Sequence, residues 1–354
     1  MKSRKFSLLG ILIFLSTVSV SEAKADIELN TTVIESDTVW NYTGGKYFLK
    51  GDVLIRSGAT LTIAPGVEID ATQGEFTVRG NLKIGAYYGE RTKIRVGKTL
   101  IGENSLANTI IITNAEISGI RMETSTIGNG TTLISSPLNL EITNSIFRDV
   151  DTLVDCDSHP GRYTISGNSF FEVKELFSQY EGGNLSIGTN AFYELQYVQN
   201  KGDLVNKLSN SYFAFYLNYL VNVKVNFFAK LPPFSRYDDP KGGWTTSPMF
   251  KGNYFANAEK MVFTPATSVG YAIDSSVQPI QVIKSSKVEQ PYMLNLYQEF
   301  DSAIEKYENE RAADKAAADK AALNTRNTVT CIKGKLVKKV TAIKPTCPAG
   351  YKKK

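Results

Sequence analysis

The sequence predicts an all-β chain wound into a parallel β-solenoid, and two observations point there. The first is a phrase that returns along the chain: Ile112-Thr-Asn114-Ala-Glu-Ile117, Ile142-Thr-Asn144-Ser-Ile-Phe147, Ile165-Ser-Gly-Asn168-Ser-Phe-Phe171, Ile187-Gly-Thr-Asn190-Ala-Phe192, Leu208-Ser-Asn210-Ser-Tyr-Phe213 and Phe250-Lys-Gly-Asn253-Tyr-Phe255. Each copy places an asparagine two or three positions after an apolar residue and an aromatic or aliphatic residue shortly after that. The asparagines are 30, 24, 22, 20 and 43 residues apart, and 43 is near twice the usual step, so one structural unit of twenty-odd residues repeats. The second observation is the run of short β-rich segments upstream: Val53-Leu-Ile55, Thr60-Leu-Thr-Ile63, Val67-Glu-Ile69, Phe76-Thr-Val78, Leu82-Lys-Ile84 and Lys93-Ile-Arg-Val96. Glycine punctuates them and Pro65-Gly66 marks a turn.

Such spacers are too poor in helix formers for βαβ units, which leaves a sandwich, a barrel or a solenoid. Hairpin signals of the Asn-Gly type are scarce, and hairpins do not make whole phrases recur. Coils stacked on one another do. A second apolar pair follows most of the asparagines by 7 to 11 residues (Leu153-Val154, Leu176-Phe177, Tyr197-Val198, Leu220-Val221, Met261-Val262), so each coil carries more than one inward strand. Asparagine tolerates the left-handed backbone of a sharp corner, and its amide both donates and accepts. Asn114, Asn144, Asn168, Asn190, Asn210 and Asn253 are therefore expected to form one ladder from coil to coil.

In chain order, Lys2, Arg4 and Lys5 precede an apolar run from Leu8 to Leu15, and Ala23-Lys24-Ala25 offers small residues for cleavage. Residues 1–25 read as an export signal. Residues 26–46 are expected to cap the first coil and 47–265 to form the solenoid. Within it, Leu231-Pro-Pro-Phe-Ser-Arg-Tyr-Asp-Asp-Pro240-Lys-Gly-Gly-Trp244 reads as a projecting loop, and 266–290 follow as a linker. Residues 291–325 are helical: Met293, Leu296, Phe300, Ile304 and Tyr307 recur at three- and four-residue steps. The Ala-Asp-Lys text of 312–322 has high helix propensity and little to bury, so the helix reads as a semi-rigid stalk. Residues 326–354 form a small hairpin module whose few apolar residues need a covalent clamp. Cys331 and Cys347 are close in sequence within that module and are paired, leaving Cys156 free.

The text from Gly58-Ala-Thr-Leu-Thr-Ile-Ala-Pro-Gly-Val-Glu-Ile69 through the asparagine phrases resembles the right-handed parallel β-helix of pectin-lyase-like secreted proteins. The resemblance implies that fold, and it does not choose among the activities the scaffold carries. The closing stretch, with its paired cysteines and Lys-rich end, is similar to short tails of secreted and surface proteins of bacteria, which implies a sorting or attachment role.

The formal charge of +5 falls to +2 without the export segment, while residues 331–354 hold eight lysines and no acid, which leaves the body between at −6. A basic tail on an acidic body suits an anionic envelope polymer, with Lys333, Lys335, Lys338, Lys339, Lys352, Lys353 and Lys354 as the contacts. Tyr351 is the tail's one aromatic residue, which speaks against nucleic acid. No second apolar run long enough to span a bilayer follows the signal.

For chemistry, the densest polar cluster runs from Arg148 to Arg162. Asp149, Asp151, Asp155 and Asp157, with Arg162 and His159, offer carboxylates for glycosidic cleavage or for Ca²⁺. Solvated turn charges are the plainer account, and the Gly-His-Gly, Asn-Thr-Asp and Arg-Ile-Lys phrases of pectin-degrading proteins are absent. No catalytic residue, cofactor or resident metal is assigned. Asp238-Asp239 fit a turn better than a site. Rings crowd residues 193–228 (Tyr193, Tyr197, Tyr212, Phe213, Phe215, Tyr216, Tyr219, Phe227, Phe228), and core stacks account for most of them. The rest are candidates for an outward ladder that stacks on sugars. The expected function is a secreted, extracellular or cell-surface adhesion scaffold for a glycan or surface protein, without catalysis. The alternative is a polysaccharide lyase or glycosidase using the Asp149–Asp157 cluster.

Overall fold

Alternation decides which residues face the interior, and stacking decides what they meet there. The computed structural model describes residues 25–102, 109–119, 131–135, 139–155, 161–178, 183–195, 197–199, 212–216, 218–222, 249–251, 254–256, 291–324 and 327–354. The described residues between 25 and 256 form a parallel β-solenoid, and every strand pair among them is parallel. Each coil contributes to three walls. The first wall holds Lys46–Leu49, Glu68–Ala71, Thr92–Val96, Ala115–Gly119, Ala191–Tyr193 and Tyr219–Val221, and the second holds Val53–Ile55, Phe76–Val78, Thr99–Ile101 and Thr132–Ser135. Ile146–Asp155 and Ser169–Ser178, ten residues each, bend through both walls and join them into one sixteen-stranded sheet. The third wall is a separate nine-stranded sheet from Thr38–Trp40 to Met249–Lys251.

Large apolar residues repeat at each of two inward positions. Tyr47, Ile69, Ile94, Ile117, Phe147, Phe170, Phe192 and Leu220 are in register along the first wall. Trp40, Ile63, Ile84, Ile112, Ile142, Ile165 and Ile187 are in register along the third. All of these are buried. Phe147, Phe170 and Phe192 stack face to face, with centroids 5.0 and 4.8 Å apart, which is the inter-strand spacing. The parallel ladder thus delivers rings at the separation offset stacking prefers.

Residues 26–46, expected as a cap, form a coil of their own: Ile27–Leu29, Thr32–Ile34 and Thr38–Trp40 each pair with the coil that follows. Apart from Ala25, the expected export segment 1–25 lies outside the described residues, as do the expected projecting loop and linker. So do Cys156, Asp157, His159, Asn210, Asn253 and Asp238-Asp239.

The helix α1 spans Pro291–Asn324. Its first half is no free stalk, because Tyr297, Phe300 and Tyr307 are buried against the first wall. Residues 312–321 are exposed, as their alanine-rich text leads one to expect. The terminal module has three strands rather than two: Asn327–Lys333 pairs antiparallel with Leu336–Ala342 and also with Lys352–Lys353. Cys331 and Cys347 form a disulfide.

Candidate functional site

The asparagines divide between two jobs at one corner. Asn168, Asn190 and Asn218 are completely buried. Each of Asn190 and Asn218 accepts, at Oδ1, the backbone N–H and the Nδ2–H of the asparagine one coil below, at 3.0 to 3.1 Å. Their Nδ2 groups and that of Asn168 donate to the carbonyls of Ile142, Ile165 and Ile187. Ser145 carries the file one coil further, its N–H donating to Asn168 Oδ1 at 2.8 Å and its Oγ accepting the Ala115 N–H at 3.1 Å. Asn114 and Asn144 stand one position earlier, with φ of 52° and 48°, where later coils put Gly167 and Thr189. The sequence encodes this split. An asparagine two residues after its apolar partner takes the left-handed turn, and one three residues after it enters the ladder. Asn218 was missed because Asn210 stood in a closer copy of the phrase; Phe215-Tyr-Leu-Asn218 has the three-residue spacing.

A second corner carries Asp149, Glu172, Glu194 and Asn222, all with φ between 53° and 57°. Each stands four residues after Ser145, Asn168, Asn190 or Asn218, so the same repeat sets it. Beside this corner the outward residues of the first wall change character. One file reads Lys46, Glu68, Lys93, Glu116 and then Ile146, Ser169, Ala191, Tyr219; its neighbour reads Phe48, Asp70, Arg95, Ser118 and then Arg148, Phe171, Tyr193, Val221. The early half is an alternating ion ladder, with Glu68 between Lys93 at 3.1 Å and Lys46 at 4.0 Å. Apart from Ser169 and Arg148 the later half is apolar, and α1 lies on it.

Polar contacts fix the helix in place. Tyr307 Oη donates to Asp149 at 2.9 Å, Tyr219 Oη donates to Asp301 at 2.6 Å, Arg311 pairs with Glu172, and Tyr193 donates to Glu308. Arg148 lies over the rings of Phe171 and Tyr307, 5.1 and 5.6 Å from their centroids. It also meets Glu116 at 3.2 Å and Glu310 at 3.4 Å. Burial, and then the hydrogen bond to Glu308, hold the Tyr193 hydroxyl well above its ordinary pKa. A phenol whose folded-state value is raised contributes stability below its free value of about 10 and loses it as pH climbs past that point. An ultraviolet titration should show a late-ionising tyrosine that is missing from Tyr193→Phe, whose helix should also resist alkaline release better than the parent's.

The acidic cluster is dispersed by the same contacts. Asp149 serves Tyr307, and Asp151 accepts the Thr131 N–H at 2.9 Å and pairs with Lys174. Asp155 stands on the second wall in register with Ser135 and Ser178, while Arg162 is on the third, between Asn139 and Asn184. Among the described residues no three His, Cys, Asp or Glu side chains gather as metal ligands. Of the rings crowding residues 193–228, Tyr193 and Tyr219 are covered by α1.

Among the described residues, Tyr87 and Tyr88 are the large aromatic side chains left open, at 67% and 82% exposure, and sequence reasoning passed over them. Their rings meet edge to face at 4.9 Å. The loop that carries them is fastened just after the pair by three hydrogen bonds: Gly66 N–H donates to Glu90 O at 3.0 Å, Asn114 Nδ2 donates to Gly89 O at 3.0 Å, and Arg91 donates to Asn144 O at 2.7 Å. The pair is thus held in place before any ligand arrives.

In the terminal module all eight lysines are exposed. No described helix is long and apolar enough to cross a membrane. The chain matches no family model, no curated protein and no solved structure, so the β-solenoid identified above rests on its own register and pairing.

Proposed function

We propose that this chain is an exported, non-enzymatic binding scaffold, held near the cell envelope by its cationic terminal module while the solenoid contacts glycan. The basic and apolar text of residues 2–15 supports export, and so does a disulfide, since such bonds persist in oxidising compartments. The observation that carries glycan contact is the braced, exposed Tyr87–Tyr88 pair. Aromatic faces bury the C–H face of a pyranose, and a rigid loop loses little entropy on doing so.

The test is retention of the purified full chain on insoluble chitin, β-glucan and cell-wall glycan, with the supernatant assayed for reducing ends. Retention without product is expected. Tyr87→Ala with Tyr88→Ala should weaken it roughly thirtyfold, from two ring contacts at about 1 kcal/mol each. Product release, or retention unchanged in the double variant, would overturn the proposal.

A further inference from the structure

We propose that the tip of the terminal hairpin inserts into an anionic lipid surface; this rests on the envelope-attachment reading above and names the partner. The turn Lys333-Gly334-Lys335 leads into Leu336 and Val337, which are 62% and 65% exposed. Gly334 has φ of +59°, and a side chain added there would meet nothing within 4 Å, so the tip is uncovered. Antiparallel register sorts the surrounding residues. Leu336 is paired with Lys333 and shares its face with Lys338 and Lys353, which flank Cys331. Val337 is paired with Ile332 and shares the opposite face with Lys339 and Lys352. Each aliphatic residue at the tip thus has ammonium groups behind it on its own side of the sheet.

That arrangement suits a bilayer better than a soluble polyanion. A hydrophilic polymer satisfies the lysines but gives Leu336 and Val337 nowhere to go. A bilayer takes both, with the aliphatics below the headgroups and the collar of lysines at phosphate depth. No acid occurs in residues 331–354, whereas the body from 26 to 330 is net negative, so an anionic surface attracts the module and repels the solenoid. Residues 312–324 of α1, about 20 Å long at the helical rise, separate the two.

The experiment is co-sedimentation of the oxidised full chain with vesicles of phosphatidylglycerol mixed into phosphatidylcholine, against phosphatidylcholine alone and against a soluble polyglycerol phosphate. Partition into the anionic vesicles is expected, and it should fall steeply with salt. Lys338→Gln with Lys339→Gln should weaken it about fivefold per lysine. Leu336→Ser with Val337→Ser should weaken it roughly tenfold while leaving polyglycerol phosphate binding unchanged. Both pairs are exposed, and an intact Cys331–Cys347 bond with unaltered circular dichroism will verify folding. If the chain binds polyglycerol phosphate but not the vesicles, or the serine variant partitions like the parent, insertion is overturned and envelope attachment through a polymer survives. If it binds neither, both proposals fall.

Discussion

Replacing Asn190 by alanine is expected to destabilise the solenoid by about 4 kcal/mol. The amide accepts from Asn168 N and Nδ2 and donates to Ile165 O and Asn218 Oδ1, and the residue is completely buried. Its removal strands a backbone N–H and a carbonyl in the core, at about 1–3 kcal/mol each. Asn144→Gly is the control. That site requires φ of 48° rather than a ladder amide, and glycine adopts it without strain, so its cost should stay within about 1 kcal/mol. Denaturant unfolding of both variants checks the pair, and equal losses would show that the two asparagine positions do not differ in role.

Phe300→Ala together with Tyr307→Ala is expected to release α1 from the first wall while the solenoid stays folded. Phe300 packs 5.1 Å from Phe171 and 5.9 Å from Tyr219, and Tyr307 packs 5.1 Å from Phe171. Each truncation costs about 3–5 kcal/mol, which exceeds what exposed ion pairs along the seam return. Residues 297–311 should lose amide protection, and the newly bared Phe171, Tyr193 and Tyr219 should bind an apolar dye. Unchanged protection across 297–311 would mean that the ring contacts do not hold the helix.

The solenoid was legible because its signal is redundant. A misread coil is corrected by its neighbours, and stacking forces like residues into one file. The ladder was legible as a residue type but not as a position, because a two-residue and a three-residue gap look like noise until the corner shows that one bends the chain and the other enters the core. The acidic text around Asp149 suggested a site for the opposite reason. Carboxylates near in sequence part company once a strand bends, Asp149 staying at the corner while Asp155 runs on along the second wall, and the bend at Asp149 itself is invisible in composition. The resting place of α1 was half visible, since the outward positions turn apolar from Ile146 to Val221 while α1 carries an apolar stripe of its own.

Local rules, then, were enough to specify the repeat, the inward files, the terminal disulfide and the cationic end, because each depends on spacing along the chain. Only the tertiary structure decided which face α1 covers, which tyrosines remain open and which acids are engaged. Those outcomes join residues such as Arg148 and Glu310, far apart in sequence, and no periodicity records a contact across that separation.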